Sequence, residues 1–119
     1  MRHRVARAAE IPPGGMVLVP LGRRGVGVYN VRGAFHALSN LCPHAGGPVC
    51  RGDVTGTTVA GGAPYAQEWV RDGEILRCPW HAWEIDITTG RTVTDPTRTV
   101  ATHPVTVEDG WVVVEVDER

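Results

Sequence analysis

Short runs of apolar and β-branched residues alternate with glycine- and proline-rich turns along the whole chain. Glycine and proline together make up 24 of the 119 residues, and the runs between them are too short for amphipathic helices. Residues 16–21 are predicted to form a strand, and residues 25–31 and 34–38 a hairpin that turns at Arg32-Gly33. This spacing is typical of an all-β domain with many small strands.

Two Asp-Gly pairs predict further tight turns. Asp72-Gly73 is expected to join residues 68–71 to residues 74–77, and Asp109-Gly110 to join residues 103–107 to residues 111–116. Between them, residues 82–87 alternate well enough for a strand that ends at Thr89-Gly90. Residues 41–50 hold two prolines and two adjacent glycines, which predicts a loop.

Two short motifs with metal-ligand chemistry lie in predicted loops, Cys42-Pro43-His44 and Cys78-Pro79-Trp80-His81. Together they supply two thiolates and two imidazoles, the ligand set of a Rieske-type 2Fe-2S cluster. Two cysteines and two histidines also satisfy tetrahedral Zn²⁺, so a zinc-stabilised interaction module stays open as an alternative. On either reading the predicted ligands are Cys42, His44, Cys78 and His81.

The segments CPHAGGPVC and CPWHAWEID, the second followed by a Thr-Gly turn, make the chain resemble the low-potential Rieske ferredoxins that serve oxygenases. The resemblance implies three small antiparallel sheets with two cluster-binding loops at one end. It also implies that Cys42 and Cys78 bind the buried iron, while His44 and His81 bind the outer iron. Residues 94–97 correspond to the proline-containing loop that covers the cluster in that family, although they also suit a plain β-turn.

The same resemblance implies a function. We expect a one-electron carrier, not an enzyme, that takes electrons from a flavin reductase and docks transiently on a terminal ring-hydroxylating oxygenase. It would have no small-molecule substrate of its own. The small subunit of a nitrite reductase-like oxidoreductase is the alternative within this fold.

The reduction potential is expected near the lower end of the span of roughly −150 to +300 mV for Rieske centres. High-potential members carry an extra disulfide and hydroxyl groups at the cluster. The corresponding positions here have neither, since they are occupied by Gly47, Trp80, Trp83 and Ile85.

The length of the chain predicts a single domain over residues 1–119, and the resemblance implies that it is a Rieske 2Fe-2S domain. Residues 1–10 are expected to form a frayed end that includes His3. Thirty-three residues separate His44 from Cys78, more than is usual in the family, so residues 51–67 are predicted to be an inserted loop.

The composition mainly argues against particular classes of function. The formal net charge is −1 and every basic residue is arginine, which does not indicate a nucleic-acid surface. No apolar run approaches the roughly 18 residues that cross a bilayer, so no membrane is expected and the cytoplasm is the predicted location. The odd cysteine, Cys50, is expected to be a buried packing residue, and Trp69 and Trp111 are expected in hairpin cores.

Overall fold

A computed structural model describes residues 1–22, 24–42, 47–61, 67–79, 83–93, 95 and 97–116. Ten strands follow one another along the chain: β1 (Arg2–Arg7), β2 (Met16–Val19), β3 (Val26–Val31), β4 (Ala34–Ser39), β5 (Asp53–Ala60), β6 (Gln67–Arg77), β7 (Glu84–Asp86), β8 (Thr102–His103), β9 (Val105–Glu108) and β10 (Trp111–Glu115). Two single 3₁₀ turns, Ala8–Glu10 and Val49–Arg51, are the only helical elements in the described part of the chain. Within these ranges, no helix has the length and apolar character needed to span a membrane.

The strands form three small antiparallel sheets, in the orders β1-β10-β9, β2-β3-β4-β8 and β5-β6-β7. This confirms the predicted all-β fold of three sheets. The middle sheet is buried on both faces, because neighbouring residues of β3 and β4 pack into two different cores. Val26, Val28 and Ala37 belong to one core with the buried valines of β10, while Tyr29 and Leu38 belong to a second core with buried residues of β6 and β7.

Two of the predicted hairpins are confirmed. β3 pairs with β4 around Arg32-Gly33, and β9 pairs with β10 around Asp109-Gly110. All four turn residues have positive φ, between 52° and 94°, as tight hairpin turns with the twist of the flanking strands require.

The hairpin predicted at Asp72-Gly73 is wrong. Residues 67–77 form one continuous strand, and residues 71–74 bulge out opposite a single residue of β5, Gly56. Two residues of this bulge have positive φ: Arg71, at 57°, and Gly73, at 83°. Gly56 permits the bulge, since a Cβ there would lie 2.6 Å from the Val70 carbonyl oxygen.

The prediction of a frayed segment at residues 1–10 is also wrong. β1 pairs with β10 along its length, and Arg2 forms an ion pair with Glu108 of β9. Arg4 and Arg7 stack on Trp111, with guanidinium carbons 5.7 and 4.9 Å from the ring centroid. A strand partner more than 100 residues away leaves no local signal in the sequence, which is why this pairing was missed.

The prediction that residues 51–67 form a loop is wrong for the described part of that range. Eight of them, Asp53–Ala60, form β5, which pairs with β6 to make a long hairpin; residues 62–66, between the two strands, lie outside the described residues. The expectation that Trp69 is core is wrong as well. Its side chain lies on β6 of this hairpin and is 53% exposed.

Candidate metal centre

The first ligand loop begins after β4 and is anchored by Asn40. The Asn40 amide donates to the Gly25 carbonyl over 3.0 Å, and its side-chain nitrogen donates to the Arg24 carbonyl over 3.2 Å. Its side-chain oxygen accepts from the amide of Cys50, at the far end of the loop, over 2.9 Å. One buried side chain therefore holds both ends of the loop. Sequence reasoning did not single out Asn40, although an asparagine next to a predicted loop is a usable signal.

Cys42 lies inside this first loop and is buried. Its backbone amide donates to the carbonyl of Gly47 over 2.7 Å, so residues 42 and 47 lie side by side. The preceding residue, Leu41, points outward and is 41% exposed. An apolar residue thus lies at the surface directly beside a predicted ligand.

The second ligand loop begins where β6 ends and closes in the same manner. The Cys78 amide donates to the carbonyl of Trp83 over 2.7 Å, and β7 begins at the next residue. In both loops the cysteine amide bonds to the carbonyl five residues later. Strands β6 and β7, which pair with each other, thereby fix both ends of the second loop.

The two loops lie against each other. Cys42 and Cys78 belong to one cluster of buried side chains, together with Val49 and Cys50. Gly52, just after the first loop, packs so closely on the start of the second that a side chain there would overlap the Arg77 carbonyl oxygen. All three cysteines of the chain are among the described residues, and none forms a disulfide.

The predicted ligands His44 and His81 lie outside the described residues, as do Pro43, Trp80 and Ala82. Their role stays a prediction. Within the described ranges, no group of three or more metal-ligating side chains comes together. The other histidines are on strands: His3 is in β1, which corrects the expected mobile end, His36 is in β4 as predicted, and His103 is in β8.

Cys50 is a buried packing residue, as predicted. Burial raises the pKa of its thiol, so the group is protonated at neutral pH. Its sulfur lies 3.6 Å from the Leu38 carbonyl oxygen, and a Cβ on Gly27 would come within 2.6 Å of that sulfur. Burial, together with the neighbouring thiol, also raises the pKa of Tyr29. Neither group is charged beside the ligand loops.

Charged and polar side chains support the second loop from outside. The hydroxyl of Thr57 on β5 donates to Glu84 over 2.9 Å, and the Glu84 carboxylate lies 3.9 Å from Arg77. Further along β7, Asp86 forms a 2.8 Å ion pair with Arg71 of the β6 bulge. Burial alone would raise the pKa of Asp86, but hydrogen bonds from Arg71 and Thr88 outweigh it and hold that pKa below its ordinary value.

The Rieske [2Fe-2S] domain family model matches residues 1–104, which is most of the chain and includes both ligand loops. The chain belongs to this family. The match confirms the resemblance that the two motifs predicted, and it identifies a Rieske-type 2Fe-2S cluster as the cofactor.

Similar proteins include ferredoxins of dioxygenase systems. The ferredoxin component of the naphthalene 1,2-dioxygenase/salicylate 5-hydroxylase systems of Ralstonia sp. is 27% identical over 91% of this chain and 88% of its own length. The ferredoxin of Sphingomonas yanoikuyae B1 has a TM-score of 0.71 at 28% identity, covering 98% of this chain and 100% of that one.

A second similar structure comes from a complex of reduced oxygenase and oxidised ferredoxin in carbazole 1,9a-dioxygenase. It has a TM-score of 0.75 at 22% identity and covers 99% of this chain and 95% of that chain. At this identity the likeness is one of fold.

The described part of the Rieske domain fits the cysteine half of such a cluster. Two buried thiols, brought to one place by two similarly closed loops, provide the thiolate pair that one iron of a Rieske centre needs. Cysteine ligands bind as thiolates, so the thiols lose their protons when the cluster is loaded.

Proposed function

We propose that Cys42, His44, Cys78 and His81 hold one Rieske 2Fe-2S cluster, and that the protein is a one-electron carrier. The observation that supports this most is the convergence of the two motif cysteines, 36 residues apart in sequence, in one buried cluster of side chains. The whole chain, residues 1–119, is then a single Rieske domain that works as a ferredoxin.

The bound cluster supplies the one-electron chemistry, and the protein supplies its ligands and surroundings. The buried cysteines and the apolar residues packed around them keep water from one side of the site. The two amide-to-carbonyl bonds hold each cysteine backbone in place, so that the ligands need little rearrangement when the charge of the site changes.

We further propose a flavin reductase as electron donor and a terminal ring-hydroxylating oxygenase as acceptor, in the cytoplasm. The ferredoxin components of dioxygenase systems among the similar proteins support this choice over a nitrite reductase-like small subunit. The exposed Leu41 beside Cys42 suits a small, partly apolar docking face at the loop end, as transient electron-transfer complexes use.

The ligand set is tested by iron and acid-labile sulfide analysis of single variants. Cys42→Ala, Cys78→Ala, His44→Asn and His81→Asn should each lose the visible absorption and the Rieske EPR signal of the wild type. Cys50→Ala and His36→Asn, matched controls in the same region of the fold, should keep two irons and two sulfides per chain. A colourless wild type with one zinc would contradict the proposal and support the interaction module.

The partners are tested by reconstitution. With NADH, a flavin reductase and a naphthalene dioxygenase-type terminal oxygenase, the protein should support substrate hydroxylation, and the Cys78→Ala variant should not. Electron transfer to a nitrite reductase catalytic subunit but not to the oxygenase would overturn the choice of acceptor.

A further inference from the structure

An arginine lies over the tryptophan that closes the second ligand loop. The guanidinium carbon of Arg98 is 5.8 Å from the centroid of the Trp83 ring, within the range of a cation–π contact. Trp83 packs against the buried cluster that contains Cys42 and Cys78, and its carbonyl accepts the Cys78 amide. A permanent positive charge therefore lies on a ring that packs against the same buried cluster as the two cysteine ligands.

The backbone of Arg98 is held firmly in this position. Its amide donates to the Asp95 carbonyl over 3.0 Å, and its carbonyl accepts from the amide of Thr92, a buried residue, over 3.1 Å. The Asp95 carboxylate accepts from the amide and hydroxyl of Thr97, which stabilises the same turn. The neighbouring residue Thr99 forms an antiparallel bridge with Arg91.

The turn also carries a negative charge, that of Asp95, close to the positive charge of Arg98. A carboxylate oxygen of Asp95 lies 3.5 Å from the Arg98 Nε atom, and both side chains are about half exposed, at 42% and 51%. The hydrogen bonds from Thr97, with Arg98 nearby, hold the pKa of Asp95 below its ordinary value, so the carboxylate is charged at neutral pH. This turn thus adds one charge of each sign near the second loop, with the positive one on the tryptophan.

We propose that Arg98 is a positioning residue that acts through Trp83, holding the indole on the second loop and raising the reduction potential of the cluster. Reduction adds negative charge to the site, and a nearby guanidinium stabilises that charge. The inference rests on the proposed function, because it requires a cluster bound at Cys42 and Cys78. Since the side chains are half exposed, salt screens the effect.

Four variants test this by spectroelectrochemical titration at low and high salt. Arg98→Gln should shift the midpoint potential downwards, and Arg98→Lys should retain most of the wild-type value because it keeps the charge. Asp95→Asn should shift the potential upwards, since the amide oxygen still accepts from Thr97 while the negative charge is gone. Arg91→Gln, which removes an exposed arginine near the same turn, should cause a smaller shift than Arg98→Gln.

The direction of each potential shift, and its dependence on salt and pH, distinguish an effect of charge on the cluster from a structural disturbance. Each shift should shrink at high salt, and the downward shift of Arg98→Gln should be the same at mildly acidic and mildly alkaline pH, because a guanidinium does not titrate there. Equal potentials for Arg98→Gln and Arg91→Gln, or equal losses for Arg98→Gln and Arg98→Lys, would overturn the inference. Failure of the proposed function would instead appear as a wild type with no Rieske signal.

Discussion

The two ligand loops close with the same backbone bond but are supported in opposite ways. The first is held from within, by the buried side chain of Asn40, which accepts a hydrogen bond from the backbone amide of Cys50. The second is held from outside, by partly exposed side chains such as Glu84 and Arg98. Neutral buried bonds are insensitive to salt and pH, while partly exposed charges respond to both. We therefore expect the first loop to govern whether the cluster is retained and the second to adjust its properties.

The largest effect is expected where the loops meet. Gly52→Ala places a methyl group on the Arg77 carbonyl oxygen, so the backbone of one loop must move away from the other. We expect a loss of about 3 kcal/mol in the free energy of unfolding, with faster loss of iron to a chelator. Denaturant unfolding of the apoprotein measures the first quantity. Gly33→Ala is the comparison variant: its Cβ meets nothing within 4 Å, but its φ of +94° strains alanine, so it should lose unfolding free energy without losing iron faster.

The next effect is at the base of the first loop. Asn40→Ala leaves the buried Cys50 amide and the Arg24 carbonyl without their side-chain partner. The expected cost is about 2 kcal/mol of unfolding free energy, because an unmet buried polar group is costly. Asn40→Asp keeps the acceptor for Cys50 and replaces the donor with a carboxyl oxygen; because burial favours the protonated carboxyl, this variant should lose less iron than Asn40→Ala at mildly acidic pH. Equal chelator rates for both variants would mean that the bond to Cys50 does not hold the loop.

The smallest effect is expected at the charged support of the second loop. Arg71→Met removes the ion pair with Asp86, for an expected cost of about 1 kcal/mol near neutral pH, since both side chains are partly exposed. The pKa of Asp86 is lower in the folded protein than its ordinary value of 3.8, so the pair stabilises the fold above that pH. This contribution is lost as the pH falls through the folded pKa. The stability difference between wild type and Arg71→Met should therefore shrink in acid, as urea unfolding at several pH values would reveal. A constant difference would contradict the role of the pair.

The local parts of the fold were predictable from the sequence, and the long-range parts were not. Arg32-Gly33 and Asp109-Gly110 specify their turns because positive φ at both positions is a local property. Asp72-Gly73 has the same chemistry, yet the pairing of β5 with β6 converts it into a bulge that needs Gly56 opposite it. The pairing of β1 with β10 is decided by packing between distant segments.

In the candidate site, too, the local features were predictable from the sequence and the long-range contacts were not. Spacing and residue type were enough to single out Cys42 and Cys78, whose burial together the fold confirms. The partners of the supporting residues were not predictable, because Asn40 and Arg98 act through a carbonyl and a ring that only the folded chain brings to them. Residue type and burial alone do not identify a ligand, because Cys50 is as buried as Cys42 and Cys78 but is a packing residue under the loop.

The central claim is that one bridged pair of irons is held by residues from both loops. A potentiometric titration of the purified protein, followed by EPR, tests it most directly. We predict a Rieske-type signal that appears with one electron per chain, at a midpoint near the lower end of the span of roughly −150 to +300 mV. A protein that takes up no electron, or that shows the signal of an iron centre without sulfide, would contradict the account.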